Sequence, residues 1–246
     1  MRYKIELAYN GSNYAGWQIQ PNAPTVQESV DRALSTIANT TIETMGCGRT
    51  DAGVHAKFFV AHFDGPNELP ADLCYRLNKM LPGDIRIISA QPCSVEFHAR
   101  FDATLREYEY HIQASKDPFA PKTYWWHAHS LDVEAMNRCA AMLIGKHDFS
   151  SFCKGDAPNN NPQCTVFKAE WIQKNDGYFF TIQANRFLRN MVRAIVGTLV
   201  DVGLSKISED DFRQIFAQGN RGEAGHSAPA EGLFLTKVEY PIPKHD

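Results

Sequence analysis

The sequence predicts an α+β fold made of two halves of similar size. Apolar residues recur with the two-residue period of strands in some segments and with the helical period in others. The resulting order is strand, helix, strand, strand, helix, strand over residues 1–104, and a similar mixture follows over residues 105–246. A chain of 246 residues is long enough for a core in each half. We therefore expect one domain at 1–104 and a second at 105–246.

In the first half, alternation at residues 3–9 predicts a strand, and a turn-rich loop with Gly11 and Gly16 follows it. Thr25 and Glu28 form a capping-box pattern, which predicts a helix that ends near residue 39. The remaining predictions for this half are strands at 41–44, 57–63 and 85–90, and a helix at 72–80.

In the second half, bulky residues at alternate positions predict a strand at 106–112. Apolar residues at helical spacing predict helices at 131–144 and 185–202. The other predictions are a hairpin of strands 166–173 and 178–184 around an Asn-Asp-Gly turn, and a closing strand at 234–240.

Composition is that of an ordinary globular chain, with 43% hydrophobic and 22% charged residues. The formal net charge of −3 excludes a globally basic nucleic-acid binder but allows a local basic patch. No apolar run reaches transmembrane length, and no signal-like segment precedes the first predicted strand. The six cysteines include no C-x-x-C pair, so we expect reduced, mostly buried thiols in a cytoplasmic protein.

The stretch GCGRTDAG at residues 46–53 places one carboxylate in a glycine-rich loop. Glycines allow sharp turns and the close approach of a ligand. A carboxylate in such a loop can act as a nucleophile or a general base, and Arg49 would hold Asp51 ionised. The alternative is an ordinary turn, because Asp and Gly are common turn residues.

Three arginines, Arg186, Arg189 and Arg193, are spaced three and four residues apart, so the predicted helix would carry them on one face. Such a face could bind several phosphates. It could equally be a solvated surface.

On the predicted strand 106–112, Tyr108 and Tyr110 share a face with Arg106. An aromatic ring beside an arginine suits stacking on a nucleobase. The alternative is a half-buried pair of tyrosines, which strands often contain.

A metal site has little support in the sequence. His127 and His129 form an H-x-H pair, and His147 and Cys153 are conceivable further ligands. No spacing signature connects them. We therefore expect the aromatic residues around them to belong to a core or an interface.

Taken together, these stretches resemble the TruA-type tRNA pseudouridine synthases. GRTDAGVHA at 48–56 is similar to the family signature, and FHARFDA at 97–103 with the following R-x-Y-x-Y pattern is similar to the segment around the start of the second domain. GKHDFSSF at 145–152, NRFLRNMVRAIVGTL at 185–199 and SAPAEGLFLTKVEY at 227–240 resemble further family blocks. The resemblance extends in family order over nearly the whole chain.

The resemblance implies the pseudouridine synthase fold, with two related α/β halves whose antiparallel sheets meet across a central cleft. It implies a homodimer that binds tRNA across both subunits. It implies isomerisation of uridine to pseudouridine at positions 38, 39 and 40 of the anticodon stem-loop. No cofactor, metal or membrane is expected.

The resemblance also implies residue roles. The family's catalytic aspartate falls on Asp51, its base-stacking tyrosine on Tyr108, and the basic partner of the aspartate on Arg193. Arg49 matches the signature arginine associated with displacing the target base.

Arg186 and Arg189 would hold backbone phosphates of the RNA.

Two questions stay open. Attack of Asp51 on C1′ of the ribose, attack on C6 of the base and removal of a ribose proton are three open routes. The segment CKGDAPNNNPQ at 153–163 departs from the more basic or serine-rich loops of many relatives, and its role in tRNA contact is open.

Two rival hypotheses come from the same residues. An aspartic protease is suggested by TDAG at 50–53 and VDVG at 200–203, which superficially resemble its D-T-G. Asp201 lies at the end of a predicted helix, however, and the protease dyad requires two facing loops. A non-catalytic RNA-binding module explains the arginines and tyrosines but gives Asp51 no task.

Overall fold

The computed structural model describes residues 1–120, 122–155, 161–220, 222 and 224–241. The chain forms two compact units, one made of Met1–Thr104 and the segment from Phe234, the other of Leu105–Leu233. Within the described ranges there are ten strands and five α-helices, in the mixed order of an α+β protein. The division of the chain at residue 104 into two domains remains a prediction; the segment from Phe234 groups with the first unit.

The first unit is built on one sheet. Its strands are β1 (Arg2–Tyr9), β2 (Met45–Gly46), β3 (His55–Asp64), β4 (Ile85–Pro92) and β10 (Leu233–Glu239). The order is β4-β1-β3-β10, and β2 pairs with β3. β1 is antiparallel to β3 and β4, whereas β10 runs parallel to β3.

Two helices, α1 (Val26–Ala38) and α2 (Leu73–Met80), belong to this unit. The Thr25 side chain caps α1 by accepting the Glu28 N–H at 3.3 Å, as the capping pattern predicted. Asn39, in the left-handed conformation with φ 50°, ends the helix. Buried and partly exposed residues alternate along β1, which therefore has one core face and one accessible face.

The second unit is also built on paired strands, most of them antiparallel. Its strands are β5 (Leu105–Gln113), β6 (Trp125–Trp126), β7 (Gly145–Asp148), β8 (Gln163–Lys174) and β9 (Gly177–Ala184). The order is β5-β9-β8-β7, and β6 pairs with β5 in parallel. The β8–β9 hairpin turns at Asn175, whose φ is 53°, so the predicted hairpin is confirmed.

The helices of the second unit are α3 (Val133–Ala141), α4 (Met191–Gly203) and α5 (Glu209–Gln218). α3 packs on β8 and on α4. Ala194, Ile195 and Leu199 in α4 are fully buried, so this helix forms much of the core.

Several predicted boundaries are wrong. Residues 41–44 are not a strand, because the Thr44 N–H and hydroxyl donate to the Asp31 carboxylate instead of to a neighbouring strand. The helix predicted at 131–144 is limited to α3. The helix predicted at 185–202 begins only at Met191, because Asn190 has a left-handed φ of 64°. α5 was not predicted, although Ser208 and Asp211 form a complete capping box.

All six cysteines lie in the described ranges, and Cys47, Cys139, Cys153 and Cys164 are buried. Across the same ranges, no helix has both the length and the apolar character needed to cross a membrane.

Candidate active site

Asp51 lies in a tight turn immediately before β3. Its carbonyl oxygen accepts the Val54 N–H at 3.1 Å, and Gly53 adopts a φ of 80°. The Gly53 N–H donates to the Tyr14 carbonyl oxygen at 3.2 Å, which ties the turn to the loop after β1. The Asp51 side chain is partly exposed. The turn therefore fixes the backbone while leaving the carboxylate accessible.

The loop that contains Gly16 and Trp17 packs against this turn. Gly16 has a φ of 95°, and a Cβ atom there would lie 2.1 Å from the Thr50 carbonyl oxygen. The buried Thr50 hydroxyl accepts the Trp17 N–H at 3.1 Å and lies 2.9 Å from the Tyr9 hydroxyl. Only glycine permits so close an approach at this φ. The sequence around Asp51 does not indicate that Gly16 packs directly against the Asp51 turn.

His55 connects the loop after β1 to strand β10. Its Nδ1 accepts the Gly11 N–H at 3.0 Å, so the imidazole hydrogen lies on Nε2 when the ring is neutral. The ring stacks on Phe234 of β10, with centroids 4.6 Å apart. A Cβ on Gly11 would lie 2.0 Å from the Val54 carbonyl oxygen, so both glycines of the loop are needed for this packing.

Arg49 is exposed to solvent, two residues before Asp51. Its side chain is therefore available to a large ligand. Its effect on the charge of Asp51 and its part in displacing a base stay predictions.

On β5, the two tyrosines have different environments. Tyr108 is partly exposed and packs edge-on against Phe187, with centroids 5.1 Å apart and planes at 89°. Tyr110 is fully buried and donates its hydroxyl hydrogen to the Pro229 carbonyl oxygen at 2.7 Å. Burial raises the pKa of Tyr110 well above its ordinary value. Tyr108 therefore keeps an accessible ring, whereas Tyr110 belongs to the core.

The three arginines do not share a helical face, which corrects the prediction. Arg186 and Arg189 lie in the loop between β9 and α4, and only Arg193 lies in α4. The reason is the left-handed Asn190, whose side-chain amide donates to the Ser227 hydroxyl at 2.6 Å. The Arg189 side chain is exposed and that of Arg186 is partly exposed.

A short segment, residues 226–229, holds Arg193 in place. The Arg193 Nε donates to the Ala228 carbonyl oxygen at 2.7 Å, and the Ala228 N–H donates back to the Arg193 carbonyl oxygen at 2.9 Å. A Cβ on Gly197 would lie 1.7 Å from the His226 carbonyl oxygen, so the segment crosses α4 in direct backbone contact. Since Pro229 also accepts from Tyr110, this segment connects α4 to β5.

Other candidate residues have structural surroundings. The His147 ring packs against the rings of Phe149 and Phe216. The ring centroids of His127 and His129 are 5.5 Å apart. Within the described ranges no group of three or more His, Cys, Asp or Glu side chains could hold a metal ion.

Asp201 of the protease hypothesis lies within α4 and pairs with Lys206 at 3.2 Å. In the 153–163 loop, residues 156–160 lie outside the described ranges.

By unit, Asp51 and Arg49 belong to the first, and Tyr108, Arg186, Arg189 and Arg193 to the second. Within the second unit the structure joins Tyr110 and Arg193 through residues 228 and 229, and it packs Tyr108 on Phe187.

Comparison with known proteins supplies the family. A family model described as tRNA pseudouridine synthase matches residues 7–102 and 139–241. A tRNA pseudouridine synthase A of Bacteroides fragilis is 49% identical over 245 residues, covering 98% of this chain and 96% of the relative. Relatives with the same description are 49% identical over 251 residues in Porphyromonas gingivalis (98% and 97% covered) and 40% over 245 residues in Bacillus licheniformis (98% and 99% covered).

Proposed function

The chain belongs to the tRNA pseudouridine synthase family, and from this premise we propose that it isomerises uridine to pseudouridine in tRNA, at positions 38, 39 and 40 of the anticodon stem-loop. Pseudouridine synthases are isomerases, so substrate and product have the same atoms. We also propose that it works as a homodimer in the cytoplasm, where its tRNA substrate is found. One observation carries the proposal: an accessible carboxylate, Asp51, on a backbone fixed by buried hydrogen bonds.

The reaction breaks the N1–C1′ bond, rotates the uracil and joins C5 to C1′. C5 loses its proton and N1 takes up a proton, so the atoms balance. We assign Asp51 as the nucleophile, because an ionised carboxylate can attack an electron-poor carbon. The turn supports this assignment, because it fixes the backbone of Asp51 and so keeps the carboxylate oriented for attack.

Arg193 and Tyr108 would complete the site. A guanidinium close to a carboxylate favours its ionised form, and Arg193 is held in one orientation by Ala228. The accessible Tyr108 ring would stack on the uracil and retain it after the bond to C1′ breaks.

The remaining arginines would act on the RNA. A base must leave the helical stack before it reacts, at a cost of a few kcal/mol, and Arg49 inserted in its place would offset part of that cost. Arg186 and Arg189, in the loop before α4, would bind backbone phosphates.

Replacing the carboxylate tests the proposal. Asp51→Asn keeps the size of the side chain but removes the negative charge, so turnover should fall below detection while tRNA affinity changes less than about threefold. Tritium release from tRNA labelled at C5 of uridine measures turnover, and a gel shift measures binding.

Asp210→Asn, a surface carboxylate in α5, is the matched control and should behave as the wild type. An Asp51→Asn protein with wild-type tritium release would exclude the assignment. Substrates with cytidine at 38, 39 or 40 in turn would show which positions are modified. Isolation of an ester between Asp51 and the ribose would separate attack at C1′ from the other two routes.

A further inference from the structure

A cavity of about 310 Å³ opens on the accessible face of the sheet in the first unit. Its walls come from β1, β3, β4 and β10, and they include Lys57, Arg86 and Phe234. Lys57 and Arg86 are exposed, and Arg86 stands between the buried Ile85 and Ile87, so it points away from the core. Two cationic side chains thus flank one opening.

Strand register sets the spacing of the two cations. Arg86 of β4 pairs with Ala8 of β1, and Ala56, next to Lys57, pairs with Tyr9. β1 therefore separates them, and with strands spaced about 4.8 Å apart their Cα atoms stand about 10 Å apart. Long side chains can converge from that distance on one small anion.

Lys57 is positioned by an aromatic ring. Its ammonium lies 5.1 Å from the centroid of Phe234, within the range of a cation–π contact. The same ring stacks on His55, which is held by the Gly11 N–H of the loop that supports Asp51. The position of Lys57 is therefore fixed through the same residues that fix the candidate catalytic turn.

One carboxylate, Asp84, also lines the cavity, and both of its oxygens accept hydrogen bonds from neighbouring side chains. Its two oxygens accept from the Tyr14 hydroxyl at 2.6 Å and from the Asn13 amide at 3.2 Å. The carboxylate is thus satisfied by donors of the loop after β1. Two cations against one hydrogen-bonded carboxylate leave the cavity with net positive character.

We propose that Lys57 and Arg86 bind a backbone phosphate of the tRNA substrate beside the Asp51 turn. This inference rests on the proposed function, since it names a contact of the same RNA. The Phe234 ring contacts both His55 and Lys57, so its role is to position the ammonium and not to read a base. Binding at this site is therefore independent of sequence.

The test is the salt dependence of tRNA binding. Lys57→Ala and Arg86→Ala should each weaken tRNA affinity about five- to tenfold at 0.1 M salt and reduce the slope of log K against log salt by about 1. Lys57→Arg should retain most of the affinity, because it keeps the charge.

Lys79→Ala provides the matched control. Lys79 is another exposed lysine of the first unit, on α2, with its ammonium 5.6 Å from the ring of Tyr75. Its replacement should leave the affinity and the salt slope unchanged. An unchanged slope in both Lys57→Ala and Arg86→Ala, or an equal loss in Lys79→Ala, would overturn the proposal.

Failure of the phosphate site can be distinguished from failure of the proposed function. Wild-type protein that releases tritium from tRNA supports the function whatever the slopes show. Wild-type protein that binds tRNA without turnover would refute the function while the slopes still decide the phosphate site. Absence of any tRNA binding would refute both.

Discussion

Tyr108 and Tyr110 are two residues apart on the same face of β5, yet they call for different experiments. The Tyr108 ring is accessible and rests edge-on against Phe187. Tyr108→Phe keeps the ring and should bind tRNA within about twofold of the wild type. Tyr108→Ala should lose about 1–3 kcal/mol of binding free energy, the typical contribution of stacking on one base. Gel shifts with both variants measure the difference.

Tyr110→Phe is the internal control for this pair. It removes the hydrogen bond that the buried Tyr110 side chain donates to the Pro229 carbonyl oxygen, so the free energy of unfolding should fall by about 1–2 kcal/mol. Urea denaturation measures that loss. Equal losses of tRNA affinity in Tyr108→Phe and Tyr108→Ala would contradict a stacking role for Tyr108.

At the scale of the element, the Asp51 turn depends on the loop after β1. Gly16→Ala would place a Cβ 2.1 Å from the Thr50 oxygen at a φ of 95°, so the two loops must separate. We expect a loss of about 2–3 kcal/mol in the free energy of unfolding and a larger drop in turnover than in tRNA binding. Gly48→Ala is the control, because a Cβ there meets no atom within 4 Å. Comparable effects of both replacements would contradict this dependence.

Elements with local signals were predictable from the sequence, whereas those set by distant contacts were not. Thr25 and Asn175 act through neighbouring residues, so α1 and the β8–β9 hairpin were predicted correctly. The start of α4 depends on Asn190, which adopts a left-handed conformation beside Ser227. The periodicity of residues 185–202 contains no trace of that contact, so Arg186 and Arg189 were wrongly placed on a helix.

The candidate site shows the same division. Asp51 and its turn could be read from one glycine-rich stretch. Gly16 and residues 226–229 could not, because their importance comes from backbone atoms brought together only by folding.

At the scale of the whole molecule, two buried groups give stability opposite dependences on pH. Burial raises the pKa of Asp31 to about 6, with the nearby Glu43 adding to the rise while hydrogen bonds from Thr44 oppose it. The folded state then binds the proton more tightly than the unfolded chain, so stability falls as pH rises from about 4 to 6. Burial lowers the pKa of His62 to about 4, with Arg2 and His98 adding to the effect, so His62 lowers stability as pH falls from about 6.5 to 4.

Asp31→Asn should therefore expose the contribution of His62. The amide oxygen can still accept from Thr44, while the titration of residue 31 is removed. The free energy of unfolding of the variant should rise more steeply with pH between 4 and 6 than that of the wild type, by about 2 kcal/mol over the window. Urea denaturation at half-unit pH intervals provides the measurement. Parallel wild-type and variant curves would show that Asp31 does not titrate in this range.

The pairing of β10 with β3 also has a consequence for synthesis. Contacts at the end of the chain, such as Thr104 with Glu239 and Tyr240 with Ala99, lie inside the first unit. A ribosome makes residues 1–104 first, but it makes β10 only after the whole of the second unit. The contiguous second unit can thus reach its complete set of contacts on the nascent chain, while the first unit, with Asp51, must wait for β10 to emerge. The nascent chain would carry a complete second unit before it carries a complete sheet around the Asp51 turn.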